Sequence, residues 1–497
     1  MSICHITIWH IIIIMSIIYL VNRNYHSETA NMYSNWRSPQ DWRSQGLDLN
    51  TTSTDASKMF DAIVTQYTGW YDDENLGGMT GTLNKMLVAD PDFVMGHVVR
   101  NGLELLGTGS NIRLCSRLQD DVSRMVKLSS MQPSLTQREQ KHVAALVAWS
   151  NGEMEQASNV WEDILVDHPN DVLALKFAYD NYFYLGNSNQ IRDCVARVLP
   201  MWKPTMPLYG YIVSMHSFGL EETNLYSEAE NAARTALSIN PKDGWATHTL
   251  CHVMEMMGRQ HEGIYMLEKT GQYWQTCGML ACHNFWHWAL YYIELGDYET
   301  ALSLFDEEVT KRAISSGAML DIVDICSLLY RLQLEGVSVE DRWEKVYDVC
   351  KSHLHDHILT FNDMHILISC LGAGQKQAVK EMMDSIEVFV RESKGTNRDI
   401  TAEVGSQLFQ AFIAYNDEDY SKVVDLINPV RSKIIKIGGS HAQRDLINQF
   451  LIQAAIKSNK KTHHNLARAL LNERKLLKPS SPLTDRLTDK VMQILGD

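Results

Sequence analysis

Between Pro241 and Pro429 the chain contains no proline. Proline removes a backbone donor, and its ring clashes with the preceding helical turn, so this long interval lacks the residue that most strongly breaks helices. Of the 11 prolines in 497 residues, Pro91, Pro133, Pro169, Pro241 and Pro479 stand where helices are expected to stop or start. An almost all-helical chain is the first deduction. Length alone suggests about three domains of roughly 150 residues, unless internal repetition turns the same length into one array.

Repetition is present. Gly152, Gly186, Asn224, Gly258 and Gly296 are spaced 34, 38, 34 and 38 residues apart. Gly and Asn tolerate the left-handed backbone that ends a helix, so these five residues mark tight helix-to-helix turns, with two helices of about 14 residues per period. Weaker candidates continue the series at Gly109, Gly336, Gly374, Asn416 and Asn459. Five positions after the turn stands a small residue, Ala157, Ala229, Gly263 or Ala301, and two positions after it an aromatic at Tyr226 and Tyr298. Tyr420 fits the same spacing only if Glu418 takes the turn. A small residue lets two helices approach closely, the aromatic fills the next gap, and Pro169 or Pro241 stops the second helix.

The stretch from Tyr226 to Pro241, with Ala229, Ala233 and Ala236, resembles the second helix of a tetratricopeptide repeat, as does Gly296 to Leu302. The repeats are clearest over 137–313. Five longer segments, beginning at Ser53, Asp90, Asp167, Met279 and Gly438, carry a closer resemblance within that superfamily across nearly everything after Met32. The resemblance implies an all-α, superhelical solenoid of stacked antiparallel helix hairpins, expected to occupy 32–497 as one unit. It brings no established reaction or ligand.

In such arrays the first helix of each repeat lines the concave side. Residues three and four apart share a helix face, and that face carries Glu139, His142, Leu146 and Trp149, then Leu173, Lys176, Asp180 and Phe183. It continues with Tyr211, Ser214, Phe218 and Glu221, then Trp245, His248, His252 and Glu255, then His283, Trp286, Leu290 and Ile293. The face is rich in aromatics and histidine, with few charges. That mixture suits a groove that encloses a peptide or ligand.

The sharpest constellation is a pair of HxxxH spacings, His248/His252 and His283/His287, on first helices of consecutive repeats. Each pair puts two imidazoles on one side of a helix, and the two helices are expected about 9–10 Å apart. With Glu255 they are able to bind zinc, but no HExxH arrangement accompanies them. Histidines hydrogen-bonded in a polar groove, with no cofactor, are the leading expectation, and zinc at His248, His252, His283 and His287 the alternative. Other motifs are weaker. His353, His355, His357 and His365 are expected at a solvated helix end. The glycines of Gly102–Gly109 lack a phosphate-loop pattern and are expected to cap a helix. Cys277 and Cys282 lack the partner pair of a zinc ribbon, and Trp288 reads as inter-repeat core.

Nine cysteines without a repeated CxxC spacing read as free thiols in a reducing compartment. The net charge of −15 argues against a nucleic-acid partner, which calls for a basic face. Residues 3–21 hold 15 apolar positions of 19, close to a membrane span, although His5 and His10 interrupt them. The main expectation for residues 1–31 is an upstream extension or gene-model artefact, with the ordinary protein starting at Met32 and lying in the cytoplasm. A signal-anchor with a cytosolic body is the alternative, and the only basis for a membrane partner. Removing 1–31 takes away Arg23 and Glu28, so the charge stays with the body.

No complete catalytic motif is present. The favoured function is therefore an interaction protein whose groove binds a peptide or protein. The alternative is a small-molecule-binding protein or enzyme with a His/Trp/Asp-lined pocket. Closure of the groove separates the two.

Overall fold

The structure, a computed structural model, describes residues 36–106 and 109–496. The apolar segment 3–21 and Met32 lie outside the described residues. Among those described there are no strands, and no helix is long and apolar enough to cross a membrane.

After a short helix at Pro39–Ser44, hairpins form from α1 (Thr54–Gly69) and α2 (Gly78–Ala89), α3 (Val94–Leu106) and α4 (Ser116–Met131), and α5 (Gln137–Ser150) and α6 (Met154–Asp167). Next come α7 (Val172–Tyr184) with α8 (Ser188–Val198), α9 (Tyr209–Glu221) with α10 (Tyr226–Ile239), and α11 (Gly244–Met256) with α12 (Gln260–Trp274). The long α13 (Gly278–Leu295) pairs with α14 (Tyr298–Leu304), which runs through a π-helical turn at Phe305–Val309 into Thr310–Ser316. The array continues with α15 (Met319–Leu334) and α16 (Arg342–Cys350), α17 (Thr360–Gly372) and α18 (Lys376–Glu392), and α19 (Ser406–Asn416) and α20 (Tyr420–Ile427). It ends with α21 (His441–Lys457), α22 (Lys461–Leu477) and α23 (Pro482–Leu495).

The expected turn residues act as helix stops. Gly152, Gly186, Asn224, Gly258, Gly296, Gly336 and Gly374 all have φ between +63° and +87°. In each case the next residue's N–H reaches the carbonyl five residues back, as from Glu153 to Ala148 and from Arg259 to Met254, at 2.8–3.0 Å. This is the bond that satisfies the last carbonyls of a helix ending in a left-handed residue. Two expectations are corrected. Glu418, not Asn416, takes the turn (φ +61°), because α19 runs through Asn416 and Asp419 bonds back to Ala414. Asn459 is not a turn of this kind: α21 closes on Ser458, whose backbone is extended.

The small residues do what close approach requires. Ala157, Ala229 and Ala301 are fully buried, and a Cβ at Gly263 would lie 2.5 Å from the Tyr291 ring. Helices α9, α11, α13, α15, α17 and α19 pack one after another as an inner wall. The apolar core is continuous from Trp42 to Val491. The molecule is thus a tetratricopeptide-like solenoid of antiparallel hairpins, and its two ends return to the inner wall. At the N-terminal end α1 packs on α7, and Trp70 meets Trp245 edge to face. At the other end α21 packs on α15 and α23 on α13.

Candidate functional site

The inner wall brings the two HxxxH pairs together. His248 and His252 lie one turn apart on α11, and His283 and His287 one turn apart on the neighbouring α13. Ring centroids are separated by 4.5 Å for 248–252, 4.8 Å for 248–283, 4.4 Å for 252–287 and 4.8 Å for 283–287. The Nε2 atoms of His248 and His252 are 2.9 Å apart. His248, His252 and His287 are buried, while His283 keeps a partly exposed edge and stacks on buried Trp286 at 5.0 Å. Burial and the adjacent imidazoles drive His248 and His252 well below the ordinary histidine range. The same burial takes His287 down to about 4. At neutral pH these three rings are uncharged, and each retains a lone pair.

Carboxylates stand behind three of the four. Asp324 from α15 meets His283 Nδ1 at 2.7 Å, while Glu221 and Glu255 approach the Nδ1 atoms of His252 and His287 to 3.4 Å. His441, at the start of α21, bonds to both oxygens of Glu221 at 2.8 and 2.9 Å, and Arg444 lies 3.5 Å from Glu222. Burial works against the charged His441, but Glu221 and Glu222 outweigh it and raise the ring to about 9.

Closure follows from a repeated feature that sequence reading did not single out. Inner helices end in glutamates: Glu221, Glu255 and Glu294, with Glu335 just past α15. A carboxylate there is disfavoured by the negative end of the helix dipole and needs a donor. The C-terminal segment supplies one to each. Besides His441 on Glu221, Lys478 Nζ is 3.0 Å from Glu255 and 3.6 Å from Glu294. Ser481 Oγ donates to Glu294 at 2.5 Å, and Arg486 pairs with Glu335 at 3.0 Å. From α15, Arg331 donates to the Ala442 carbonyl at 2.6 Å. The only sequence signal was a Glu recurring one to three residues before the turn.

Whether the groove is open or closed, left undecided by the sequence, is answered by these contacts: it is closed. Of the twenty concave-face positions named from the sequence, Phe183, Trp245 and His283 are half-buried and the others are buried. Segments from both sides of the array contact these faces directly: Tyr67 binds Asp180, His441 binds Glu221 and Lys478 binds Glu255. A small cleft of about 100 Å³ is lined by Glu255, His441, Asp445, Arg474 and Lys478 among others.

Glu255, His283, Trp286 and His287 join His248 and His252 in the cluster, but three other candidates serve elsewhere. His142 and Arg138 bind Asp171 at 2.9 and 2.6 Å, and Asp171 also caps α7 through the Ala174 N–H. His142 is thus bound to an inter-repeat clamp. Lys176 pairs with Asp180 at 2.5 Å, and Asp180 also accepts from Tyr67 at 2.6 Å. The Lys176 ammonium stands 4.7 Å from the Trp245 ring and 5.0 Å from that of Tyr67, so the chain's own cation fills this aromatic enclosure.

The weaker motifs also resolve. The solvated reading of that histidine group holds for exposed His355 and half-buried His353 but not for His357 and His365, which are buried; His357 bonds Asp363 at 3.2 Å and Ser385 at 2.8 Å, and His365 the Phe361 carbonyl. Gly102 lies inside α3, not at a cap, because a Cβ there would strike the Phe177 ring at 2.3 Å. Cys277 and Cys282 are buried free thiols, and Trp288 stacks on Phe285 at 5.8 Å against Trp274.

No protein-family model matches the chain. Among solved structures it is similar to the APC/C hetero-tetramer Cut9–Hcn1, with 11% identity over 91% of this chain and 80% of that one, at a TM-score of 0.41. It is also similar to the human IFIT1 dimer with m7Gppp-AAAA, with 13% identity over 94% of this chain and 100% of that one, at a TM-score of 0.36. Neither likeness bears on the chemistry of the histidine cluster.

Proposed function

We propose that this chain, a relative of tetratricopeptide repeat protein 38, is a small-ligand-binding protein or enzyme whose chemistry sits inside a self-closed solenoid. The observation that carries this reading is the burial of the histidine–carboxylate cluster under the chain's own α21–α23 segment. A peptide groove needs exposed contact residues. An enclosed set of neutral imidazoles backed by carboxylates instead supplies lone pairs and proton acceptors in a low-dielectric setting, where polar interactions are strong. The five sequence segments named above support the kinship with tetratricopeptide repeat protein 38.

A second reading keeps a protein partner but moves it off the concave face. The cleft of about 1400 Å³ along the turn edge, lined by Gly186, Asn187, Arg192, Glu222 and Lys436 among others, is open to solvent.

The two readings separate when natively purified protein is denatured and its released contents are compared with those of a His248→Ala/His283→Ala variant. A low-molecular-weight species present in the first and lost in the second supports the enclosed site. A polypeptide that co-purifies equally with both, with no such species in either, supports the turn-edge partner and contradicts the enclosed site.

A further inference from the structure

The eight ring nitrogens of the four clustered histidines are poorly satisfied for so buried a place. His248 and His252 share one contact, and His283 has Asp324. His248 Nδ1, His252 Nδ1 and both nitrogens of His287 are buried with no hydrogen-bond partner, as is Glu255 Oε2. Buried polar atoms are nearly always paired; His252 Nδ1, His287 Nδ1 and Glu255 Oε2 lie 3.4 Å from a carboxylate or an imidazole, whereas His287 Nε2 has no partner at all. Four imidazoles alone do not supply one: His248 and His252 already face each other nitrogen to nitrogen.

The arrangement has the form of a ligand set. One nitrogen from each of His248, His252, His283 and His287 falls within 4.8 Å of all the others. Two nitrogens bound at about 2.05 Å to one ion stand about 2.9 Å apart at the right angle of a square-planar or octahedral site and about 3.3 Å apart at the tetrahedral angle; the His248 and His252 Nε2 atoms, 2.9 Å apart in an N–H···N contact, need only a small shift to fit either. The Nδ1 atoms of His252, His283 and His287 face Glu221, Asp324 and Glu255, which leaves Nε2 on each as the donor. A carboxylate behind a metal-bound imidazole fixes its tautomer and raises its basicity. The adjacent group of Glu221, Glu222, His252 and His441 also has ligand-like proximity. It needs no ion, because His441 and Arg444 already neutralise its carboxylates.

We propose that His248, His252, His283 and His287 hold one divalent first-row transition-metal ion, with Glu221, Asp324 and Glu255 orienting three of the rings. An all-imidazole set favours zinc, iron, copper or nickel over calcium and magnesium, which prefer oxygen. This inference rests on the enclosed-site reading and names the first ligand of that site.

The test uses the full chain, stripped with a chelator and titrated separately with Co²⁺ and Zn²⁺, with bound metal counted by elemental analysis and cobalt ligation read from visible absorption. The result expected is one ion per chain with a nitrogen-ligated cobalt spectrum that zinc abolishes. His252→Asn and His287→Asn are expected to remove it, and Asp324→Asn to keep the stoichiometry while weakening affinity roughly 10- to 100-fold. A stripped wild-type chain that stays folded and takes up neither ion overturns the proposal, whatever the folding of the variants. So does uptake that the folded variants leave unchanged. Absence of metal with a small organic ligand still retained defeats this inference alone. Bound metal together with a polypeptide that co-purifies regardless of the histidines, and no small organic species, defeats the enclosed-ligand reading alone.

Discussion

Replacing Lys478 with Met removes the ammonium that joins α11 and α13 to the C-terminal segment, while keeping much of its stem. Lys478, Glu255 and Glu294 are each about 5% exposed, and Lys478 Nζ lies 3.0 and 3.6 Å from the two carboxylates. At an effective dielectric of about 20, unit charges at such distances attract by about 4.6–5.5 kcal/mol each. The desolvation of the ammonium cancels part of this, but the variant leaves two buried carboxylates without their cation. The net loss is therefore about 3–5 kcal/mol, the usual cost of breaking a buried pair from one side. Glu294 retains Ser481 Oγ and the Leu483 N–H, so most of the loss falls on Glu255. Hydrogen exchange resolved by peptide reads this locally: α21–α23 should exchange about a hundred- to several-thousand-fold faster than in wild type, with α3–α6 unchanged. Lys478→Met/Glu255→Gln should recover at least half of the loss. Exchange in α21–α23 within about twofold of wild type in Lys478→Met would refute the idea that charge pairing holds the closure.

Further outcomes follow from other contacts. Asp171→Asn leaves Arg138 buried without its carboxylate and should destabilise the chain by about 3–5 kcal/mol in urea unfolding at neutral pH. Although burial raises the Asp171 carboxyl, His142 and Arg138 hold it below its unfolded value of 3.8. Its contribution is thus present above about pH 4 and lost as pH falls through the lower folded value, so the gap between wild type and variant should narrow below pH 4. Gly263→Ala should cost about 1–3 kcal/mol, because the Tyr291 ring it strikes is itself held by a 2.8 Å bond to the Cys251 carbonyl. Gly336→Ala, with nothing near its Cβ, should cost only the about 1–2 kcal/mol of a left-handed backbone, and thermal melts will order the two. Tyr67→Phe takes a 2.6 Å donor from Asp180 and should cost about 1.5–3 kcal/mol in the same assay.

The turn series was legible because it rests on local chemistry: a left-handed residue ends a helix wherever it stands, and the following N–H completes the stop. Asn416 misled for a related reason, since Asn is a good left-handed residue but here remains the last residue of α19. The histidine cluster was legible because His248/His252 and His283/His287 repeat one HxxxH spacing on successive inner helices; their 35-residue separation differs from the 38-residue turn spacing by about one helical turn, which keeps both pairs on the same side. Closure was not legible. His441, Lys478 and Arg486 reach glutamates roughly 150 to 220 residues earlier in the chain, and no helix-face pattern encodes which segment returns to the wall. His142 and Lys176 fell on the expected face, but other partners took them first: Asp171 of the next repeat for one, and Asp180 one turn along the same helix, with its aromatic surround, for the other.

The central claim, that the concave face is closed, is tested most directly by histidine footprinting of the native chain with diethyl pyrocarbonate. His261, exposed at the start of α12, serves as the internal reference. The account predicts that His261 is modified at the rate of a free imidazole while His248, His252 and His287 stay unmodified until the protein unfolds. Modification of these three at the rate of His261 would show an open groove and contradict the account.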